Sequence, residues 1–241
     1  MTGKQHVLVL QHFKENPPGR VGNILDEHNI PYTLVEVGHD QMPNPVSYGA
    51  IIALGGTQHL YDKSKYPYTV REEAYLHHAI REHMPYLGMC LGGQLLANAF
   101  QAPIQKLPKL HVGFLQIHFT TEGEHDPIYA GLPGHQQAFQ WHEDAFQLPH
   151  GAVPLAHHQD GSNQSFRYLE HAYGIQYHIE ITREMFDTWL GEPSLKKEFV
   201  NAYGVERYDR TVQEVAQLYP LYDSQARMMI ENFLRLSKLM S

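Results

Sequence analysis

Residues 84–100 read MPYLGMCLGGQLLANAF, and the fold is decided there. The short apolar run from Pro85 to Met89 has the length of a buried strand, and Gln94 to Ala99 is a run of good helix formers. Between them lies Gly88-Met89-Cys90-Leu91-Gly92. Gly-x-Cys-x-Gly between a strand and a helix is the thiol version of a nucleophile elbow. A residue on so sharp a turn protrudes from the sheet edge, and the small residues two before and two after it let neighbouring backbone approach. The helix that follows starts with unpaired N–H groups and a positive dipole end, which favour a thiolate and can hold an oxyanion. The plain alternative is a buried cysteine acting as a small hydrophobe on a glycine-rich turn.

Working outward, His6 to Leu10 is a first buried strand and Gln11 to Gly22, with Pro17-Pro18-Gly19, a loop. Val21 to His28 has helical spacing, Tyr32 to Val37 is a second strand, and Asp40 to Pro45 is loop. Gly49 to Leu54 is a third strand ending in Gly55-Gly56-Thr57, and Thr69 to His83 is the helix leading to the elbow strand. This order predicts an α/β fold: a doubly wound, flavodoxin-like, mostly parallel sheet with ligands at the carboxyl ends of its strands. Gly55-Gly56 and Cys90 both fall at such ends.

After Phe100 the pattern changes. Pro103 to Pro108 reads as a linker. Strands are expected over His111–Thr120, Gln136–Phe146, Val153–His158, Gln164–Leu169 and Ala172–His178, with turn signals and little helix between them. They form an antiparallel extension. From Thr182 onward a helical tail is expected, with Met229, Phe233 and Leu236 as an apolar stripe at i, i+4, i+7. The expected division is a main domain over 1–181 and a C-terminal helical extension, 182–241, packed on it.

With 241 residues and 42% hydrophobic content, the chain suits one sizeable domain. No apolar run approaches the ~20 residues of a membrane span, and the N-terminus has no signal-peptide pattern, so a cytoplasmic, non-membrane protein is expected. The net charge of −8, with 18 scattered Lys and Arg, gives no basic stripe for nucleic acid. The one cysteine excludes an intramolecular disulfide. The 18 histidines form no HExxH and no Cys/His ligand spacing, so most are expected on surfaces or loops, with no metal.

A cysteine nucleophile needs a base, and the base an orienting acceptor. Tyr177-His178-Ile179-Glu180 supplies both: His178 would emerge at a strand end, and in extended chain Glu180 shares its face. Alone, H-x-E is a weak signal whose bland reading is a surface pair worth little.

Together these residues resemble the class I, triad-type glutamine amidotransferases, in particular free-standing proteins similar to the glutaminase domain of GMP synthase. The resemblance covers most of the chain. It rests on His6–His12, Gly55-Gly56, Tyr86 to Ala97 with Gln94 four residues after Cys90, Trp141-His142-Glu143-Asp144, and Ala172 to Glu180. It implies that Cys90 attacks a glutamine side-chain amide to give a γ-glutamyl thioester. His178 would move the proton to ammonia, and Glu180 would orient His178. It further implies an oxyanion hole from the Gly56 and Leu91 N–H groups, with Gln94, Trp141 and His142 at the substrate's amino-acid end. Two residues depart from the family pattern: Ile179 and Thr57 both stand where proline is usual.

No cofactor is expected. The expected partners are L-glutamine or a γ-glutamyl compound and a synthetase subunit that accepts ammonia, because the chain has no P-loop pattern of its own. A homodimer is left open. A free-standing γ-glutamyl peptide or amine hydrolase using the same triad is the alternative activity. A catalytically silent regulatory module fits less well, because no triad member is missing.

Overall fold

The computed structural model describes residues 5–241. Strand and helix alternate through β1 (Val7–Gln11), α1 (Gly19–Glu27), β2 (Tyr32–Glu36), β3 (Ala50–Ala53), α2 (Tyr68–Arg81), β4 (Tyr86–Met89) and α3 (Leu91–Ala99). Then come β5 (Ile104–Phe119), α4 (Thr121–His125), β6 (His135–Phe146), β7 (Val153–His158), β8 (Asn163–Tyr168) and β9 (Ala172–Ile175). The chain ends in α5 (Arg183–Gly191), α6 (Pro193–Tyr203) and α7 (Val205–Leu236). These strands form one sheet in the order β2-β1-β3-β4-β9-β8-β7-β5-β6. From β2 to β9 the neighbours are parallel, and from β9 onward antiparallel. The fold is therefore the expected α/β sheet, parallel in its core, with an antiparallel extension and C-terminal helices.

The double winding follows from residue parity. Val7 and Val9 of β1 and Ile52 of β3 join one core cluster with Ile24, Leu25, Phe186, Met229 and Phe233. Leu8, Leu10 and Ile51 point the other way, into a second cluster with Leu76, Ile80 and Leu95. Successive strand residues face opposite sides, so both faces of the parallel core must be covered by helix.

Four details differ from the sequence reading. Residues 103–108 are not a linker, because β5 begins at Ile104 and pairs with β6 there. The ladder breaks between Lys106 and His111, around Pro108, which has no N–H to donate. Short helical turns do interrupt the antiparallel half. Thr120 caps α4 by accepting from Gly123 N–H at 2.9 Å, and Asp126 caps the 3₁₀ turn Pro127–Tyr129. β9 ends at Ile175, not at 178; beyond it His178 forms only an isolated bridge with Phe139. The stripe on α7 is also displaced: Met229 and Phe233 are buried with Ile230 and Leu234, but Leu236 is 38% exposed.

The tail helices share the main core. Phe186 of α5 packs edge-on to Phe139 of β6, with centroids 4.7 Å apart, and also contacts Phe114 and Tyr222. Asn232 of α7 donates to the carbonyls of Ile128 and Ala130 at 3.1 and 2.9 Å. Phe233→Ala should therefore lower unfolding stability by about 3–5 kcal/mol in urea titration, whereas Leu236→Ala should change it by less than about 0.5 kcal/mol.

Candidate active site

The elbow is built by strain and close packing. Cys90 has φ 50° and ψ −107°, an unusual conformation for a residue bearing a Cβ. Its N–H donates to Ile175 O at 2.8 Å, and the Gln94 N–H returns to Cys90 O at 3.0 Å. Gly92 allows the turn to sit against β3, since a Cβ there would lie 2.3 Å from Ala53 O. Helix α3 starts at Leu91, immediately after the cysteine. Neither Leu91 N–H nor Gly56 N–H has an acceptor among the described residues, so both remain available to an oxyanion.

His178 is 2% and Glu180 0% exposed. The His178 Nδ1–H donates to Glu180 Oε1 at 2.7 Å, while Nε2 has no hydrogen-bond partner among the described residues. The i, i+2 relation thus brings the pair together as expected. Burial alone would push the His178 pKa down. The Glu180 carboxylate, followed by the Cys90 sulfur beside the ring, more than offsets this and raises it. Burial likewise opposes ionisation of Glu180, yet His178 and the hydrogen bonds to the carboxylate hold its pKa below the usual value.

Ile179 has a specific consequence. Its N–H donates to Glu180 Oε2 at 3.0 Å, a bond that proline could not make. Asn16, which the sequence reading missed, donates from Nδ2 to Glu180 Oε1 at 3.0 Å and is 1% exposed. It lies in the proline- and glycine-rich segment after β1, where no spacing marked it. Glu180 therefore accepts from three donors while fully buried.

The second departure, Thr57, leaves a loop that is tied down by its neighbours. Gln58 Nε2 donates to His12 O and to Tyr68 Oη, both at 2.8 Å. His12 meets Leu54 O at 3.1 Å and Glu72 Oε1 at 2.6 Å. Of the histidines, only His12, His142 and His178 are buried among the described residues, and the others are partly or fully exposed. Among the described residues no cluster of His, Cys, Asp or Glu forms a metal site, and no helix is long and apolar enough to cross a membrane.

Cys90, His178, Gly56, Gln94, Trp141 and His142 line one cavity of about 270 Å³. Leu91 and Glu180 do not line it: Leu91 follows Cys90 at the start of α3, and Glu180 holds His178 from behind. Gln94 Nε2 donates to Asp144 O at 3.0 Å, which leaves its Oε1 as the free acceptor. Trp141 O is 3.9 Å from the Cys90 sulfur. His142 bonds Asp144 O at 2.8 Å, and burial followed by the His111 charge lowers its pKa to about 3, so it is neutral. His59 was not singled out from sequence, and Asp144 was named only as the end of the Trp141–Asp144 segment. His59 Nδ1 lies 2.6 Å from Asp144 Oδ2 and its Nε2 3.2 Å from Glu143 Oε1, fastening the Gly56 loop to β6.

The sequence model for glutamine amidotransferase class I matches residues 25–196. The chain belongs to this family. A glutamine amidotransferase-like protein of Salmonella typhimurium is 26% identical over 78% of this chain and 79% of its own length. The glutamine-hydrolyzing GMP synthase of Thermosipho melanesiensis is 31% identical over 61% of this chain, but that match spans only 27% of the synthase. A solved glutamine amidotransferase of Thermotoga maritima shares the fold, with TM-score 0.84 at 22% identity over 96% of this chain and 98% of that one.

Protonation of the pair links the site to stability. Glu180, with its lowered pKa, stabilises the fold above about pH 4.5, and that contribution is lost as the pH falls. His178, with its raised pKa, contributes fully below about pH 6.5 and loses its contribution as the pH rises through the folded value. Asn16→Ala removes one donor from the buried carboxylate. Its acid-unfolding midpoint, followed by circular dichroism, should move to higher pH, with about 1–3 kcal/mol lost at neutral pH.

Proposed function

We propose that this chain is a cysteine amidohydrolase of the glutamine amidotransferase type. It hydrolyses the side-chain amide of glutamine through a γ-glutamyl thioester and releases ammonia to a separate synthetase partner. The reading is carried by one observation: a cysteine on a strained strand-to-helix turn shares a cavity with a histidine whose far nitrogen is held by a buried carboxylate.

In this mechanism Cys90 and His178 act as a thiolate–imidazolium pair. The sulfur attacks the γ-carbonyl carbon, and the carbonyl oxygen takes the negative charge between the N–H groups of Gly56 and Leu91. Each such donor is worth about 3–4 kcal/mol at the transition state. His178 delivers its proton to the departing nitrogen as the C–N bond breaks. Neutral His178 then takes a proton from water, hydroxide adds to the thioester, and the thiolate leaves. Glu180 fixes the ring tautomer and offsets the imidazolium charge. Gln94 Oε1 and Trp141 O are acceptors for the substrate's ammonium group, and neutral His142 holds the Asp144 backbone beside them. A second reading, in which the departing amine is larger than ammonia, is favoured by the tail: α5 and α6 contribute Trp189, Leu195 and Glu198 to the cavity wall.

Purified protein should release ammonia from L-glutamine, and Cys90→Ala should abolish release; equal release from both would exclude the thiol mechanism. Glu180→Gln should lower kcat by about 10²–10⁴-fold. It should also move the basic limb of the pH profile to lower pH, because the imidazolium loses its counter-charge.

A further inference from the structure

Two connected groups of side chains line the cavity. One is polar: Gln94, His142 and His59 all converge on Asp144. The other begins at Trp189, which stands edge-on to the His178 ring, with centroids 5.1 Å apart at 90°. Trp141 meets Trp189 at 6.0 Å, and Phe13, Leu110 and Leu195 complete an apolar wall. None of these five side chains has a task in splitting an amide. His178 is the proton donor to the departing nitrogen, so the wall that begins at His178 borders the leaving group.

This wall is built and fastened by the chain itself. Trp189 Nε1 donates to Glu15 O at 2.8 Å, and Tyr208 Oη to Leu190 O at 2.6 Å. The Tyr203 hydroxyl donates to Leu110 O, and Lys109 caps the Tyr203 ring at 3.6 Å. Ammonia is small and polar and gains nothing from such a surface, whereas an apolar body there leaves water. Two carboxylates, Glu143 and Glu198, are among the lining residues. Glu198 lies 3.4 Å from Trp141 Nε1, and Lys106 is engaged by Glu143 at 3.2 Å. An anionic leaving group would face carboxylate repulsion there.

Resting on the Cys90 acyl-transfer mechanism and on its second reading, in which the departing amine is larger than ammonia, we propose that the preferred substrate is a γ-glutamyl amide of an apolar alkyl- or arylamine. The glutamyl part lies on the polar wall and the amine's hydrocarbon on the Trp189–Trp141–Leu195 wall. The C–S bond to Cys90 forms first, giving the tetrahedral oxyanion; its collapse breaks the C–N bond, the amine leaves carrying the His178 proton, and water then hydrolyses the thioester to release glutamate and the Cys90 thiolate.

The test compares kcat/KM for L-glutamine, γ-L-glutamyl isobutylamide, γ-L-glutamyl anilide and γ-L-glutamylglycine on the full-length protein. One methylene in an apolar pocket is worth about 10–200-fold. The isobutylamide or anilide should therefore exceed glutamine and γ-glutamylglycine by at least about tenfold. Leu195→Asp, at a partly buried rim position, should lower the ratio of apolar amide to glutamine by about tenfold. Calorimetric binding to Cys90→Ala should rank the ligands in the same order, independently of turnover. Glutamine or γ-glutamylglycine turned over as well as the apolar amides would overturn the proposal and leave the Cys90 mechanism standing. Hydrolysis of none of the four would overturn both.

Discussion

The site depends on a backbone constraint at a single residue. Cys90 occupies a positive-φ conformation that costs of order 1–3 kcal/mol and persists only where the surroundings over-determine it. They do so here from three directions. β9 accepts the Cys90 N–H at Ile175 O, β3 presses Ala53 O against Gly92, and the Tyr86 hydroxyl donates to Gly92 O at 2.7 Å. Each contact comes from the parallel core of the sheet. The position of the sulfur at the strand ends is thus a consequence of sheet order, and the loops from neighbouring strands arrive beside it for the same reason.

The buried charge pair is a second constraint of the same kind. A carboxylate and an imidazolium removed from water are costly unless they are paired and hydrogen-bonded. Glu180 offsets that cost by accepting from His178 Nδ1–H, Asn16 Nδ2–H and the Ile179 N–H. Two of the donors are its own neighbours in sequence, and the third is contributed by the segment after β1. Helix α1, which continues that segment, is itself docked on Glu180, because the Arg20 N–H donates to Glu180 O at 2.7 Å. The N-terminal loop, the H-x-E segment and the tail helix α5, through Trp189, therefore form one unit around His178.

The elbow, the Gly55-Gly56 loop and the His178–Glu180 relation were legible because each is a local pattern: a strand-to-helix switch, a glycine pair at a strand end, an i, i+2 spacing. The doubly wound, parallel half followed from the βα alternation. Asn16 and His59 were not legible, since their partners Glu180 and Asp144 are distant in sequence and join only through the sheet. The start of β5 was hidden by two prolines that read as a linker, although a strand tolerates proline where its ladder is already interrupted. The inward face of α7 was misjudged at Leu236 because helical spacing fixes a stripe but not where the packing partner ends.

The thioester on Cys90 is the claim on which every assigned role rests. The most direct measurement is intact-protein mass spectrometry after rapid acid quench with a γ-glutamyl substrate, with peptide mapping of the adduct. A γ-glutamyl increment on the peptide containing Cys90, accumulating when Glu180→Gln slows its hydrolysis and absent from Cys90→Ala, is the predicted result. Substrate turnover with no adduct under any quench condition, or an adduct that persists in Cys90→Ala, would contradict it.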